Sequence, residues 1–235
     1  MAWYSRLFTA HDEDAGLTAD QQQAVAAWHE LPAADLKRSH YRTRYVVVDV
    51  ETTACGARAD RLLSLGALAV TDGMIDFSDA LEVHLAEPLA DTEYTTITEA
   101  QTSACLMPPS DALIAFLHFA GKAPLIAFHA SLVSRVVEGA LAEHLGFALR
   151  QPWIDLAWVM SDLFRDGPGD AATSLDKWLA HFDIESIQRH HVVSDAYVAA
   201  KLVQMTIARA ARKGFVSPAG LLELEKARRH LHQSG

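Results

Sequence analysis

The chain has 235 residues, half of them hydrophobic and 21% charged, which is the composition of a globular protein with one sizeable domain or two small ones. Its formal net charge of −10 argues against a protein that coats duplex nucleic acid without sequence preference. The sequence has no leader segment, no apolar run of about eighteen residues and too few cysteines for a disulfide framework, so we expect a cytoplasmic protein without a membrane partner.

The first segment, residues 1–43, is predicted to form an N-terminal helical extension. Thr18 is a suitable N-cap, and Val25 and Trp28 follow at helical spacing before Pro32 ends the helix. Such a helix could pack on the rest of the chain or dock a partner, and packing is the simpler expectation.

A buried strand is predicted next, because Tyr45–Val48 is short, rich in β-branched residues and free of glycine and proline. Side chains alternate along a strand, so Asp49 and Glu51 point to the same face at its end. Two neighbouring carboxylates repel one another, and a shared proton or a bound hard cation such as Mg²⁺ would relieve the repulsion. An exposed acidic strand end is the alternative interpretation.

The remaining elements predict an α/β domain with a mixed sheet over residues 44–213, followed by a C-terminal helical extension at residues 214–235. The dipeptide Asp72-Gly73 is typical of a hairpin turn, so the strands around it should form an antiparallel meander with the first strand. Helices and short strands then alternate, and Ser110 is the predicted N-cap of the first of these helices. Ligand sites in such folds gather at strand ends and helix starts.

The last long helix of this domain opens with a further acidic residue. Asp195 precedes a stripe of small apolar residues, and a carboxylate in the first turn is favoured by the helix dipole. Capping of the helix alone could explain this residue. His190, five positions earlier, could act as a general base toward a water molecule, or it could be a surface histidine.

Taken in order, these motifs resemble the DnaQ-like exonucleases of the DEDDh type, which include the proofreading epsilon subunit of bacterial DNA polymerase III. The segment Asp49-Val-Glu51-Thr-Thr is similar to the first motif of that family, and His190-x4-Asp195 is similar to the third. Leu62-Leu-Ser-Leu-Gly66-Ala is similar to its second strand, and Phe119–Ala130 to the strand that leads into its second motif. The resemblance covers residues 43–213.

This resemblance implies an RNase H-like fold and the metal-dependent removal of nucleotides from the 3′ end of single-stranded DNA or RNA. It also implies two Mg²⁺ or Mn²⁺ ions held by Asp49, Glu51 and Asp195, with His190 taking the proton from the attacking water. Two such ions, about 3.5–4 Å apart, steady the attacking and leaving oxygens of an in-line displacement. A polymerase or another replication protein is implied as a partner.

The chain departs from the family at the second motif, where an aspartate is expected at the start of a helix. Val133 takes that position, and a valine can neither ligate a cation nor orient its water. Ser134 offers only a neutral oxygen, and Glu138 lies about 140° around an ideal helix from Val133. Asp155, which follows a strand of its own, or a residue of the loop at 90–107 could fill the gap.

The missing carboxylate leaves three functions to compare. Loss of one catalytic group lowers a rate by about 10²–10⁴-fold, so an attenuated 3′–5′ exonuclease is the first expectation. The alternative is a catalytically impaired nucleic-acid-binding or polymerase-associated module on the same fold. A third interpretation is an unrelated α/β protein whose acids are structural.

Overall fold

The structure, a computed structural model, describes residues 16–53, 61–86, 106–169, 171–188 and 191–233. Among the helices in these ranges, none is long and apolar enough to cross a bilayer. The helices are α1 (Ala19–His29), α2 (Pro109–Ala120), α3 (Ala130–Leu145), α4 (Leu156–Leu163), α5 (Leu175–His181), α6 (Val192–Arg212) and α7 (Pro218–Gln233), with a short 3₁₀ helix at His40–Arg42. The strands are β1 (Arg44–Thr52), β2 (Leu62–Thr71), β3 (Met74–Leu85), β4 (Leu106–Met107), β5 (Leu125–Ala127) and β6 (Trp153–Asp155).

The described strands form a six-stranded sheet of order β4-β3-β2-β1-β5-β6. Strands β1, β2 and β3 make an antiparallel meander, whereas β5 is parallel to β1, β6 is parallel to β5 and β4 is parallel to β3. The predicted mixed sheet of an α/β protein is confirmed, with β1 in its interior. Because β1, β5 and β6 run in the same direction, their carboxyl ends meet at one edge of the sheet.

The two faces of β1 are covered by different helices. Tyr45 and Val47 pack in one apolar cluster with residues of α4, α6 and α7. Val46 and Val48 pack in a second cluster with Trp28 of α1 and with residues of α2 and α3. The period of two along the strand therefore decides which set of helices each position of β1 faces.

The predicted hairpin turn joins β2 to β3 at Asp72 and Gly73. Both residues have positive φ angles, 55° and 81°, which two-residue turns of this kind require and which glycine adopts at no steric cost. Close to the turn the pairing is regular, with Thr71 opposite Met74. The local sequence is therefore sufficient to form this hairpin.

Farther from the turn, the pairing of β2 with β3 shifts between Leu68 and Ala69. Continuing the register near the turn would set Asp79 opposite Gly66, but the shift sets Glu82 there. Because side chains alternate between faces, this shift of three residues exchanges the faces to which the second half of β3 points.

Both terminal helices pack on the rest of the domain. Trp28 of α1 is buried, and its indole N–H donates to the carbonyl of Gly121 at 2.8 Å. Leu221 and Leu224 of α7 lie in the apolar cluster that covers the α6 side of the sheet. The N-terminal helix thus packs on the domain, as expected, and the division of the chain at residues 43/44 and 213/214 stays a prediction.

The predicted N-cap at Ser110 is wrong. Helix α2 begins at Pro109 with Pro108 as its N-cap, because proline suits the first turn of a helix, where its missing N–H costs no hydrogen bond. The hydroxyl of Ser110 instead donates to the carbonyl of His144 at 3.3 Å, which ties α2 to α3.

Candidate active site

Asp49 and Glu51 lie at the carboxyl end of β1. They continue the alternation of Tyr45 and Val47, so both point to the face of the sheet that α6 covers. Both residues are partly buried. The hydroxyl of Ser64, which lies opposite Glu51 on β2, donates to Glu51 Oε2 at 2.6 Å and orients that carboxylate.

Helix α6 approaches the sheet closely at Gly66, which lies opposite Asp49 on β2. A Cβ atom on Gly66 would lie 2.4 Å from the backbone carbonyl carbon of Val192 and 2.6 Å from its oxygen. Only a residue without a side chain leaves room for the helix backbone at this distance. The first turn of α6 therefore rests on β2 beside Asp49.

Asp195 lies in that first turn. It follows Val192 by three residues, so the two side chains share one face of the helix. Asp195 is 7% exposed, and the same face continues through Ala199 and Val203 into the apolar cluster. The three predicted acidic ligands thus belong to one face of the sheet at one end of β1.

His190, the predicted general base, lies outside the described residues. The chain on either side of it is anchored to the rest of the fold. The backbone N–H of Gln188 donates to Ser194 Oγ at 3.1 Å, and His191 Nε2 lies 3.4 Å from Glu82 Oε1. Residues 188 and 191 are therefore held to α6 and to β3, and the role of His190 stays a prediction.

A glutamate and two histidines beside the site were not foreseen from the sequence. Glu82 lies opposite Gly66 on β3, on the α6 face, and its Oε1 is 2.9 Å from His84 Nε2. The same oxygen contacts His191, the N-cap residue of α6. Glu82 therefore connects β3 to the start of the helix that carries Asp195. Because of the register shift in β3, strand alternation counted from the turn would place the Glu82 side chain on the opposite face of the sheet.

The helix start that we predict to correspond to the second motif is apolar. Val133 is 4% exposed and packs in the apolar cluster shared with α1 and α2. The first turn of α3 contains no acid, and burial raises the pKa of Glu138, which lies farther along the helix. The described residues of α3 thus supply no carboxylate in place of the expected one.

Helix α3 nevertheless begins at an unusual residue. His129 is its N-cap and has the left-handed angles φ 59° and ψ 54°. This conformation costs a non-glycine residue roughly 1–3 kcal/mol, and such strain is concentrated at functional sites. Its ring packs edge-on against Phe128 with centroids 4.6 Å apart. The second motif therefore has a strained backbone turn but lacks the carboxylate.

Asp155 does not fill the gap either. It accepts the N–H of Ala157 at 3.2 Å as the N-cap of α4, and its Oδ2 accepts from Arg229 at 2.8 Å. Glu225, whose pKa is raised by burial, accepts from the backbone N–H of Asp155 and from Arg229. These groups form a structural network between β6 and α7.

The predicted ligands suit a hard cation in their chemistry but not in their spacing. Asp49, Glu51 and Asp195 supply carboxylate oxygens, which Mg²⁺ and Mn²⁺ prefer. Within the described ranges, however, no three His, Cys, Asp or Glu side chains lie close enough together to hold a metal ion. A pair of ions would need more carboxylates, and Val133 occupies the position where the family has one.

Comparisons with known proteins identify the family and the fold of the chain. The RNase T family, whose model is described as "Exonuclease", matches residues 46–203, more than half of the chain. The PolC-type DNA polymerase III of Clostridium perfringens is 27% identical over 165 residues, which cover 69% of this chain and 11% of that polymerase. The chain thus spans about a tenth of the length of this curated relative.

Several solved exonucleases have the same fold. Exonuclease X in complex with 5′-overhanging duplex DNA has a TM-score of 0.56 and 17% identity, with 77% of this chain and 99% of that chain covered. The zinc-bound complex of E. coli exonuclease I with single-stranded DNA has a TM-score of 0.59 and 13% identity, with coverages of 73% and 42%. The nuclease domain of 3′hExo, a DEDDh family member bound to rAMP, has a TM-score of 0.55 and 14% identity, with coverages of 73% and 94%.

These likenesses establish the fold and confirm the predicted RNase H-like architecture. The family match at residues 46–203 covers most of β1, most of both apolar clusters and the first half of α6, so the motifs and the fold refer to the same segment. The chain belongs to the DnaQ-like exonuclease family.

Proposed function

We propose that this chain is a divalent-metal-dependent 3′–5′ exonuclease that hydrolyses phosphodiester bonds at single-stranded DNA or RNA ends, at a rate lowered by Val133. The observation that carries the proposal is the contact of α6 with Gly66 beside Asp49, on the face to which Glu51 also points. Membership of an exonuclease family supports the reaction class.

The chain's own acids would bind and orient the reacting groups. A Mg²⁺ or Mn²⁺ ion that drew the Asp49, Glu51 and Asp195 carboxylates together would act as a Lewis acid toward the scissile phosphate. The hydrogen bond from Ser64 fixes the Glu51 carboxylate, so less conformational freedom is lost when a cation binds. A ring nitrogen of His190 would take the proton from the attacking water.

Attenuation follows from the charge at the second motif. Two neighbouring cations repel one another, and each carboxylate nearby offsets part of that repulsion. With Val133 in place of an acid, the pair of ions implied by the resemblance would be held less firmly. We therefore expect hydrolysis about 10²–10⁴-fold slower than in the same site with its carboxylate.

The relatives support the proposed substrate and partner. E. coli exonuclease I was solved with single-stranded DNA, and 3′hExo with rAMP, so the same fold accepts both kinds of sugar. The similarity to a segment of a PolC-type polymerase supports association with a polymerase or another replication protein.

The decisive experiment incubates the purified chain with single-stranded DNA and RNA labelled at the 5′ end, in Mg²⁺, in Mn²⁺ and in EDTA. A ladder shortened from the 3′ end, dependent on metal and lost in Asp49→Asn, supports the proposal. Asp20→Asn is the matched control, because it makes the same chemical change at an exposed residue of α1. Cleavage that survives Asp49→Asn would contradict the site.

A non-catalytic nucleic-acid-binding or polymerase-associated module is the second candidate. The burial of Val133 favours it, because an apolar helix start packs well without any ligand. Fluorescence anisotropy with the same oligonucleotides distinguishes the two candidates. Binding without cleavage in either metal favours the module, and cleavage of any metal-dependent kind favours the enzyme.

A further inference from the structure

A cleft lies at the opposite edge of the sheet from Asp49 and Glu51. It has a volume of about 330 Å³, and its walls come from the segment between α1 and β1 and from the turn between α2 and β5. Arg44, the first residue of β1, lines it. Five residues of strand separate Arg44 from Asp49, which is about 16 Å at the usual rise. The cleft is therefore separate from the candidate active site.

Positive charge is concentrated in this cleft. The whole chain has 20 Lys and Arg residues against 30 Asp and Glu residues, yet the cleft is lined by Arg38, Arg42, Arg44 and Lys122 and by a single acid, Asp35. The guanidinium of Arg44 is already paired with a carboxylate of β3 at 2.8 Å. The other three cations and the one acid leave a net charge of about +2 in a chain that is acidic as a whole.

The guanidinium groups of Arg38 and Arg42 are not used by the fold. In the part of the chain that the structure describes, neither has a salt bridge or a side-chain hydrogen bond, and both residues are exposed. The Lys122 ammonium lies 3.0 Å from the centroid of the Trp28 ring and, among the described residues, has no salt bridge to an acid. An anion in the cleft would therefore meet cations that have not been neutralised.

The walls of the cleft are already fixed by hydrogen bonds. On one side, the Thr43 hydroxyl donates to the carbonyl of Ser39 at 2.8 Å, and the N–H of Lys37 donates to Asp35 Oδ1 at 3.0 Å. On the other side, the indole N–H of Trp28 holds the carbonyl of Gly121. A preformed site of this kind loses little conformational entropy when a ligand binds.

We propose that this cleft binds a small ligand with two adjacent phosphates, such as a free diphosphate or the diphosphate of a nucleotide. Guanidinium groups bind phosphate oxygens through paired N–H donors, and an ammonium binds them as a point charge. A ligand with two phosphates matches the net charge of the cleft, and its volume is at the lower end of the range for small-molecule sites. The site does not depend on the proposed nuclease function.

Isothermal titration of the full chain with pyrophosphate, in EDTA so that no metal bridges the ligand to the acids of β1, tests this proposal. We expect one saturable site whose affinity falls about 100-fold in the double variant Arg38→Ala/Arg42→Ala, because each charge-assisted hydrogen bond contributes about tenfold. Lys226→Ala/Arg228→Ala removes the same charge from α7 and should change the affinity less than twofold. Arg38, Arg42 and Lys226 are exposed and Arg228 is partly exposed, and circular dichroism checks that each variant folds.

Three results would overturn the proposal. They are the absence of saturation at millimolar pyrophosphate, equal affinity in the Arg38/Arg42 variant, and an equal loss in the α7 variant. Binding that is lost in Asp49→Asn would also overturn it, since the ligand would then occupy the other edge of the sheet. Titration with ADP identifies the source of the phosphates: tighter binding than pyrophosphate indicates a nucleotide, and equal or weaker binding a free diphosphate. An oligonucleotide that binds through Arg38 and Arg42 while pyrophosphate does not would contradict a small ligand.

Discussion

At the end of β1 and the start of α6, the side chains around the acids suit charged groups: Ser64 donates to Glu51, and Gly66 makes room for the helix that carries Asp195. At the end of β5 and the start of α3, by contrast, Val133 is 4% exposed in an apolar cluster. The helix start at the second motif is thus a part of the core. This fold therefore does not need a carboxylate there, so an acid at that position would serve chemistry rather than folding.

Supplying the missing carboxylate should produce the largest change. Val133→Asp is expected to raise the rate of 3′-end cleavage about 10²–10⁴-fold, the scale of one catalytic group, if the β1–α6 half of the site is intact. The initial rate on a 5′-labelled oligonucleotide in Mn²⁺ measures the change. Val133→Asn is the matched control, because it has similar size and polarity without the charge. Equal rates in the two variants would mean that the first half of the site is not competent.

Filling the space at Gly66 should damage only the half of the candidate active site that β1 and α6 form. Gly66→Ala would bring a methyl group to 2.4 Å from the backbone of Val192, so the start of α6 must move away from β2. We expect a loss of about 1–3 kcal/mol in the free energy of unfolding, measured by urea denaturation, together with loss of metal-dependent cleavage. Gly139→Ala on α3 is the control, because nothing lies within 4 Å of the added atom. Unchanged stability in Gly66→Ala would contradict the close contact.

Removing Glu82 should also loosen the start of α6, with a smaller effect than the substitution at Gly66. The pair with His191 is partly exposed, so it contributes on the order of 0.2–1 kcal/mol. Glu82→Ala is therefore expected to raise amide hydrogen exchange at residues 191–195 by about two- to fivefold, with Glu82→Gln intermediate. Glu223→Ala, on the exposed side of α7, serves as the control. Exchange that stays the same would show that Glu82 does not hold the helix.

The pH dependence of folding separates effects on the fold from effects on the site. His40 is fully buried, its Nδ1 is 2.6 Å from the Tyr45 hydroxyl, and burial lowers its pKa from 6.5. The unfolded chain therefore takes up a proton before the folded one does. Neutral His40 therefore makes its full contribution to the free energy of unfolding above pH 6.5. This contribution should be lost as the pH falls below that value.

Urea denaturation between pH 5 and pH 8, which brackets the histidine pKa, measures this loss. In Tyr45→Phe the hydroxyl partner of His40 is removed while the ring stays, so the midpoint should fall at every pH. A stability that is independent of pH in this range would be inconsistent with a buried neutral His40. If the rate of cleavage falls more steeply at low pH than the free energy of unfolding does, the additional loss would come from the candidate site rather than from the fold.

Much of this fold could be predicted because its signals are local. The Asp72-Gly73 turn, the alternation of β1 and the small-residue face of α6 each follow from neighbouring residues. The N-cap at Ser110 was predicted wrongly because the two prolines before it compete for the same role. Local rules thus locate an element more reliably than its first residue.

The candidate site was only partly predictable, because its supporting contacts depend on register. The same-face pair Asp49 and Glu51 and the departure at Val133 could be read from the sequence. The position of Glu82 could not, since a register shift of three residues in β3 turns it from the opposite face toward α6. The burial of Asp155 in an ion pair with Arg229 likewise depends on how α7 packs.

The fit of α6 on Gly66 also has a consequence for the order of folding. Strands β1 and β2 pair from neighbouring segments of the chain. Val192 and Asp195 of α6, which pack against this pair, follow Gly66 by more than 120 positions. Closing a loop of that length is slow compared with forming a hairpin, although its entropic cost grows only with the logarithm of length. During synthesis the acids of β1 are therefore exposed well before their partner helix exists. Folding intermediates, and chains that end before about residue 200, would expose the apolar strand without a functional site.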